Sequence, residues 1–242
     1  MLGLPADVRA CLFDLDGVLT RTMEAHLAAW RAVFDEVLAE RGLAEPFTDA
    51  DYQAFVDGKP RMDGVRDFLA SRGITLPEGS PADPPTGQTI SAVGNRKNAR
   101  LLEQLRSHGV AVYDGSVQYV RAVREAGYAT AVVTASANCA EVLAAAGITD
   151  LFDTRVDGIV RAERGLAGKP APDTFLAAAA DLGLKPAACA VFEDALAGVA
   201  AGRAGDFAHV VGVDRLGQRD ALLQSGADVV VDDLSELLGE TA

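Results

Sequence analysis

Residues 10–22, ACLFDLDGVLTRT, constrain this chain more than any other stretch. The stretch opens on an apolar run, Ala10-Cys11-Leu12-Phe13, with Val8 just ahead of it. Such a run reads as a strand buried on both faces. Two carboxylates follow on alternate positions, Asp14 and Asp16, and Gly17 then breaks the strand before an amphipathic helix. Acids at the end of a buried strand are costly unless a partner or a divalent cation compensates them. In an open α/β sheet that end of the strands is also where ligands bind. An acidic turn with no further task is the plain alternative for a lone DxDG, so the rest of the chain has to decide.

At 242 residues the chain suits one large domain or two smaller ones, and 49% apolar content supplies a core. The formal charge of −13 argues against a nucleic-acid partner and against an anionic membrane surface. A small anionic substrate remains compatible, because a metal and a few local cations reverse the field inside one cleft. The three cysteines, Cys11, Cys139 and Cys189, are widely spaced in apolar or Ala-rich settings. They read as buried free thiols, which fits a cytoplasmic location. The first ten residues, MLGLPADVRA, lack a basic segment followed by an apolar one, so no signal peptide is expected. No run approaches the ~20 apolar residues of a membrane span. Nothing points to an oligomer, and a monomer is expected.

Between residues 21 and 100 the pattern is helical. Leu27, Trp30, Val33, Phe34, Val37 and Leu38 form one stripe of a helix over residues 24–41, which Gly42 ends. Shorter helices are expected over 49–56 and 62–72, a loop over 77–87 and another helix over 97–108. After Tyr113 strands and helices alternate. Strands are expected at 129–133, 188–192, 209–213 and 228–231, with helices over 117–126, from 136 to about 146, 174–182 and 195–204. The alternation predicts an α/β fold, a Rossmann-like, doubly wound parallel sheet. The helical block, residues 21–100, is expected as a cap inserted into a core made of residues 1–20 and 101–242.

Three later strand ends carry polar chemistry. The second strand runs into Thr134-Ala135-Ser136, where a hydroxyl and helix-start N–H groups suit an oxyanion; an ordinary helix cap by Ser136 is the alternative. Lys169 stands between Gly168 and Pro170, stiffly held before a helix and able to neutralise a phosphoryl group; a solvated lysine is the alternative. Glu193 and Asp194 close another apolar run, and a shared Mg²⁺ would compensate both acidic strand ends. The combination matches a phosphoryl transfer. Asp14 would attack phosphorus. Mg²⁺ held by Asp14, Asp16, Glu193 and Asp194 would neutralise charge together with Lys169. Asp16 would act as acid and then base.

The four motifs, in order Asp14-Leu-Asp16-Gly-Val, Thr134, Lys169-Pro170 and Glu193-Asp194, resemble those of the haloacid dehalogenase superfamily, and they span the whole core. The second aspartate resembles the phosphotransferase members. The resemblance to the β-phosphoglucomutase group extends into the cap. Thr22, His26 and Trp30 match its TxxxHxxAW stretch, and Thr134-Ala135-Ser136-Ala137-Asn138 its SASKN loop. Arg61 is similar to its cap arginine, and Arg96-Lys97-Asn98 matches its RKN. The resemblance implies a small phosphorylated sugar bound by Thr22, His26, Arg61, Arg96, Lys97, Asn98, Ala135, Ser136 and Asn138. The implied reaction moves phosphate between C1 and C6 of β-glucose through the 1,6-bisphosphate. A phosphatase with the same core is the alternative. A receiver-type module that stores an aspartyl phosphate is a further one, and the cap, Asp16 and the Glu193-Asp194 pair speak against it.

Three positions depart from the group: Arg21 stands where it usually has Asp, and Asp57 and Ala137 replace lysines. These leave the phosphotransfer core intact and bear on sugar choice. His26 has two readings on the sequence alone, a group that times proton handling at Asp16 or a buried histidine bonded to backbone. Arg61 and Lys97 read either as anion ligands or as surface charges.

Overall fold

A computed structural model describes residues 2–239. The elements follow in chain order: β1 (Ala10–Phe13), α1 (Met23–Glu40), α2 (Asp49–Asp51) with a π-helical turn at Tyr52–Val56, α3 (Arg61–Ser71), α4 (Ile90–His108) and α5 (Asp114–Glu125). Then come β2 (Ala129–Val133), α6 (Cys139–Ala145), β3 (Thr154–Val156), α7 (Gly158–Glu163), α8 (Asp173–Asp181), β4 (Cys189–Glu193), α9 (Leu196–Ala204), β5 (His209–Val213), α10 (Arg219–Ser225) and β6 (Val229–Val231). One compact unit takes the described chain up to Arg21 and again from Val110; the other is Thr22–Gly109.

The first unit is built on one parallel sheet in the order β3-β2-β1-β4-β5-β6. This is the doubly wound order, and its direction reverses beside β1. All four residues of β1 are buried, as a strand covered on both faces requires. On one face Phe13 stacks on Phe192 at 4.5 Å between ring centroids and meets Tyr119 edge-on. The other face packs Leu12, Val133 and Val191 with Phe175 of α8 and Val199 of α9. Both connections to the second unit are pinned here. Thr20 pairs with Val112 in an antiparallel bridge, and Tyr113 N–H donates to Leu19 O at 3.0 Å.

The second unit holds four helices and no strand among its described residues. Its core gathers Trp30, Phe34, Phe47 and Phe68, with Phe34 and Phe68 rings 4.2 Å apart. The loop before α4 is tied to it by Asn95, whose amide donates to Pro81 O and Asp83 O.

The α/β architecture matches the sequence reading, with four differences. The strand β3 and the helices α7 and α10 were not expected; each has seven residues or fewer, too few to display a period. The helix expected from residue 97 begins at Ile90, where the Thr89 hydroxyl caps the Ala92 N–H. It runs without a break past residue 100, where the expected core segment starts, to Gly109. The helix expected over 49–56 is α-helical for one turn only and widens into the π-turn.

Candidate active site

Asp14 is the first residue after β1 and is 7% exposed. Its N–H still donates to Phe192 O at 2.9 Å, so the strand ladder holds its backbone. Lys169 meets it there. The Lys169 ammonium donates to Asp14 Oδ1 at 2.5 Å, to Val133 O at 3.0 Å and to Glu193 Oε1. It also lies 4.9 Å from the centre of the Phe175 ring. Burial works against this cation, but the Asp14 and Glu193 carboxylates outweigh it and raise its pKa. Burial in turn pushes the Glu193 carboxyl up, against the pull of Lys169. The Lys169–Pro170 peptide is cis.

Glu193 ends β4 with its side chain fully enclosed; its second oxygen accepts the Ala195 N–H at 3.1 Å. Asp194 follows, also buried. Asp14, Glu193 and Asp194 each offer an oxygen, and these lie within 4.8 Å of one another. Lys169 pairs with two of the three, Asp14 and Glu193. Hard oxygen donors in that number suit Mg²⁺. The carboxylate of Asp16, expected as a fourth ligand, falls outside this group. The chain leaves strand geometry after Phe13, and Asp16 sits in the turn, half-buried. In that turn Gly17 adopts φ +93°, and a Cβ there would run into the Asp194 carboxylate. Only glycine allows the two acidic loops to approach so closely.

Thr134, 3% exposed, is the first residue after β2. Its hydroxyl accepts the Ser136 N–H at 3.1 Å, and the Ser136 hydroxyl accepts the Asn138 N–H at 3.2 Å. The N-cap position of α6 is Asn138, so Ser136 is not its cap. Ala135 and Ser136 are half-buried, Asn138 is buried, and Ala137 is exposed. The unexpected β3–α7 segment supports this loop. Gly158 N–H donates to Ser136 O at 3.0 Å, and a Cβ on Gly158 would press on Ala135 O at 2.7 Å. Buried Asp157 caps α7 by accepting from Ile159 and Val160. Asp157-Gly158 ahead of an apolar pair is the cap signal that could have marked it.

A second support went unnoticed in the sequence. Arg215 Nε donates to Gly17 O at 2.8 Å, and Gln218 Nε2 donates to Asp194 O at 3.1 Å. Arg21 belongs to the connection: its Nε donates to Val112 O at 3.3 Å, and its guanidinium lies 4.8 Å from the centre of the Tyr113 ring.

The helical unit gathers a cationic cluster of its own. Lys97 of α4 is 3% exposed; its ammonium lies 3.0 Å from His26 Nδ1 of α1 and 5.0 Å from the centre of the Trp30 ring. An ammonium only donates, so His26 accepts at Nδ1 and carries its proton at Nε2. Burial, then Lys97 and Arg61, hold the His26 pKa well below its usual value. Arg61 opens α3, is half-buried and has its pKa lowered by burial. Thr22 is buried at the start of α1, its carbonyl accepting from His26 N–H at 2.9 Å. Asn98 is half-buried beside Lys97 on α4. Arg96 is drawn elsewhere, donating to Pro85 O at 2.8 Å and Gly87 O at 3.2 Å. Of the RKN triplet, the arginine thus anchors the loop before α4. Asp57 is half-buried and ends the π-turn, its N–H donating to Tyr52 O.

Comparison with known proteins agrees with this arrangement. The haloacid dehalogenase-like hydrolase family matches residues 8–206. The chain is 56% identical to a β-phosphoglucomutase of Mycobacterium bovis, over 98% of this chain and 94% of that protein. It is 31% identical to hexitol phosphatase A of Escherichia coli, over 91% and 92% of the two chains. A crystal structure of β-phosphoglucomutase from Clostridium difficile superposes with a TM-score of 0.78 at 25% identity, covering 95% of this chain and 93% of that one. With its acid-ended strands and four motifs in order, the chain is an enzyme of the haloacid dehalogenase-like family, and it belongs to the β-phosphoglucomutase-like group within it.

Proposed function

We propose that this enzyme is a Mg²⁺-dependent phosphosugar mutase that interconverts β-glucose 1-phosphate and glucose 6-phosphate. The observation that carries the reading is the 56% identity to a β-phosphoglucomutase along almost the whole chain. The buried Asp14–Lys169–Glu193 group supports the chemistry. Asp14, Glu193 and Asp194 would hold Mg²⁺, which would supply charge neutralisation for the phosphoryl group in transfer.

Asp14 is the nucleophile that takes the phosphoryl group as an aspartyl phosphate. Lys169 holds its carboxylate in one orientation and stays cationic beside the phosphoryl oxygens. Asp16 gives a proton to the leaving sugar oxygen and takes one from the next hydroxyl. Thr134 and the N–H groups of Ala135 and Ser136 receive the phosphoryl oxygens. In the helical unit Arg61 and Lys97, with Thr22 and Asn98, bind the sugar and its second phosphate, joined by Asn138 from the core loop after β2; neutral His26 keeps Lys97 in place through its Nδ1 acceptor.

The test is a two-product assay on β-glucose 1-phosphate with Mg²⁺ and a trace of β-glucose 1,6-bisphosphate. Fast glucose 6-phosphate with little free phosphate is expected, and Arg61→Ala is expected to slow it by about 10²-fold or more, as loss of a bidentate phosphate clamp does. Free phosphate as the main product would make the enzyme a phosphatase, the reading favoured by its similarity to hexitol phosphatase A.

A further inference from the structure

One loop braces both acidic turns of the core from behind. After β5, Asp214 Oδ1 accepts the N–H groups of Leu216 at 3.2 Å and Gln218 at 2.9 Å, which fixes the loop's own shape. From this loop Arg215 reaches back to Gly17. Its Nε donates to Gly17 O at 2.8 Å and its Nη1 to Asp232 O at 2.6 Å, while its guanidinium lies 3.6 Å from the centre of the Tyr113 ring. The side chain is only one-tenth exposed, and the nearest carboxylate, on Asp233, stands 3.9 Å away. Gln218 holds Asp194 O in the same way. A buried arginine spent on backbone carbonyls fixes geometry, because its fork binds two acceptors at set angles.

Backbone bonds close the far side of the turn, where the Leu19 and Thr20 N–H groups donate to Leu15 O at 2.9 Å, and Arg215 holds its Gly17 end. Gly17 has no side chain and adopts φ +93°. Its N–H donates to Thr20 O at 2.9 Å, and its carbonyl is the one taken by Arg215. Asp16 is the residue immediately before.

We propose that Arg215 is a positioning residue for phosphoryl transfer: by fixing the Gly17 carbonyl it keeps the Asp16 carboxylate aligned with the group in transfer, and Gln218 does the same for the Asp194 backbone. This rests on the acid–base role given to Asp16 above. It predicts a loss in turnover rather than in substrate binding. Arg215→Ala lowers kcat by about 10- to 100-fold and moves KM by less than about twofold, as a displacement of roughly 1 Å in a catalytic group does. Arg215→Lys keeps the charge but loses the fork, and recovers only part of the rate. Hydrogen exchange in Arg215→Ala quickens at the amides of residues 15–20 and stays unchanged in β1.

Rates are taken on β-glucose 1-phosphate and on p-nitrophenyl phosphate, with the folded fraction measured by circular dichroism. Unaltered exchange at residues 15–20, or a kcat that falls only in step with the folded fraction, overturns the inference. So does full activity in Arg215→Lys with the exchange still fast. A wild-type enzyme active on the aryl phosphate alone overturns the mutase reading and leaves Arg215 to be judged on that substrate and on exchange.

Discussion

One ammonium, that of Lys169, answers two enclosed carboxylates. Removing one partner of a buried charge group costs far more than the group contributes when whole, because a charge is left without compensation. Lys169→Met is therefore expected to lose about 3–5 kcal/mol of stability near pH 8, read by urea denaturation. Burial already raises the Glu193 carboxyl, and without the lysine it rises further, so the deficit shrinks as pH falls and Glu193 takes a proton. A deficit that grows toward low pH would contradict this account. The thiols follow the same physics. All three cysteines are buried and free, as their settings in the sequence suggested. Burial pushes Cys189 up to about 11 and raises Cys11 and Cys139 as well. Native protein is expected to resist iodoacetamide at pH 7.5 and to react only when unfolded, which mass spectrometry reads directly.

At the scale of elements, the pairing of α1 with α4 through His26 and Lys97 sets a pH response. His26 has a folded pKa well below 6.5, so the unfolded chain binds the extra proton first as pH falls. Stability at this site is therefore fully present above that value and declines as pH drops below it. Thermal melts from pH 7.5 to 5.5 are expected to show this slope, and His26→Asn to flatten it; an unchanged slope would sink the assignment. Elements with long apolar runs were legible in the sequence: β1, β2, β4 and β5 each bury a nearly continuous string of Ala, Val, Leu and Phe. The start of α4 was not, because Gly94 interrupts the helical pattern near its beginning. In the structure Gly94 faces the Met62 side chain of α3, and a Cβ there would need that flexible side chain to move. Of the site, the acids and Lys169 were readable because charge at the end of a buried strand is conspicuous. The bonds of Arg96 to Pro85 O and Gly87 O were not readable, because nothing in a helical RKN triplet says which side chain turns to a neighbouring loop. Arg215 and Gln218 were invisible for the same reason: their partners are backbone carbonyls some 200 and 24 residues away.

For the whole molecule, the proposed Mg²⁺ site predicts that stability responds to divalent cation. Mg²⁺ at 100 times its dissociation constant is expected to stabilise the fold by about 2.7 kcal/mol, seen as a rise in Tm that EDTA reverses. Asp194→Asn, which leaves the Lys169 pairs in place, is expected to abolish most of that rise; an equal rise in the variant would place the ion elsewhere. The sheet order carries a consequence for biosynthesis. The central strand, β1, is translated first, yet its two neighbours are residues 129–133 and 189–193. At about 5–20 residues per second, roughly 10–40 s separate the emergence of Asp14 from that of Glu193. Until residues 129–133 emerge the nascent chain carries an apolar strand with neither edge covered, and until 189–193 emerge one edge stays open, the kind of segment that chaperones bind. The helical unit, a compact unit of residues 22–109, can form meanwhile. A ribosome-bound chain halted before residue 189 is thus expected to hold a folded helical unit and no assembled acid cluster, so the chemistry arrives only after Glu193 and Asp194 have been made.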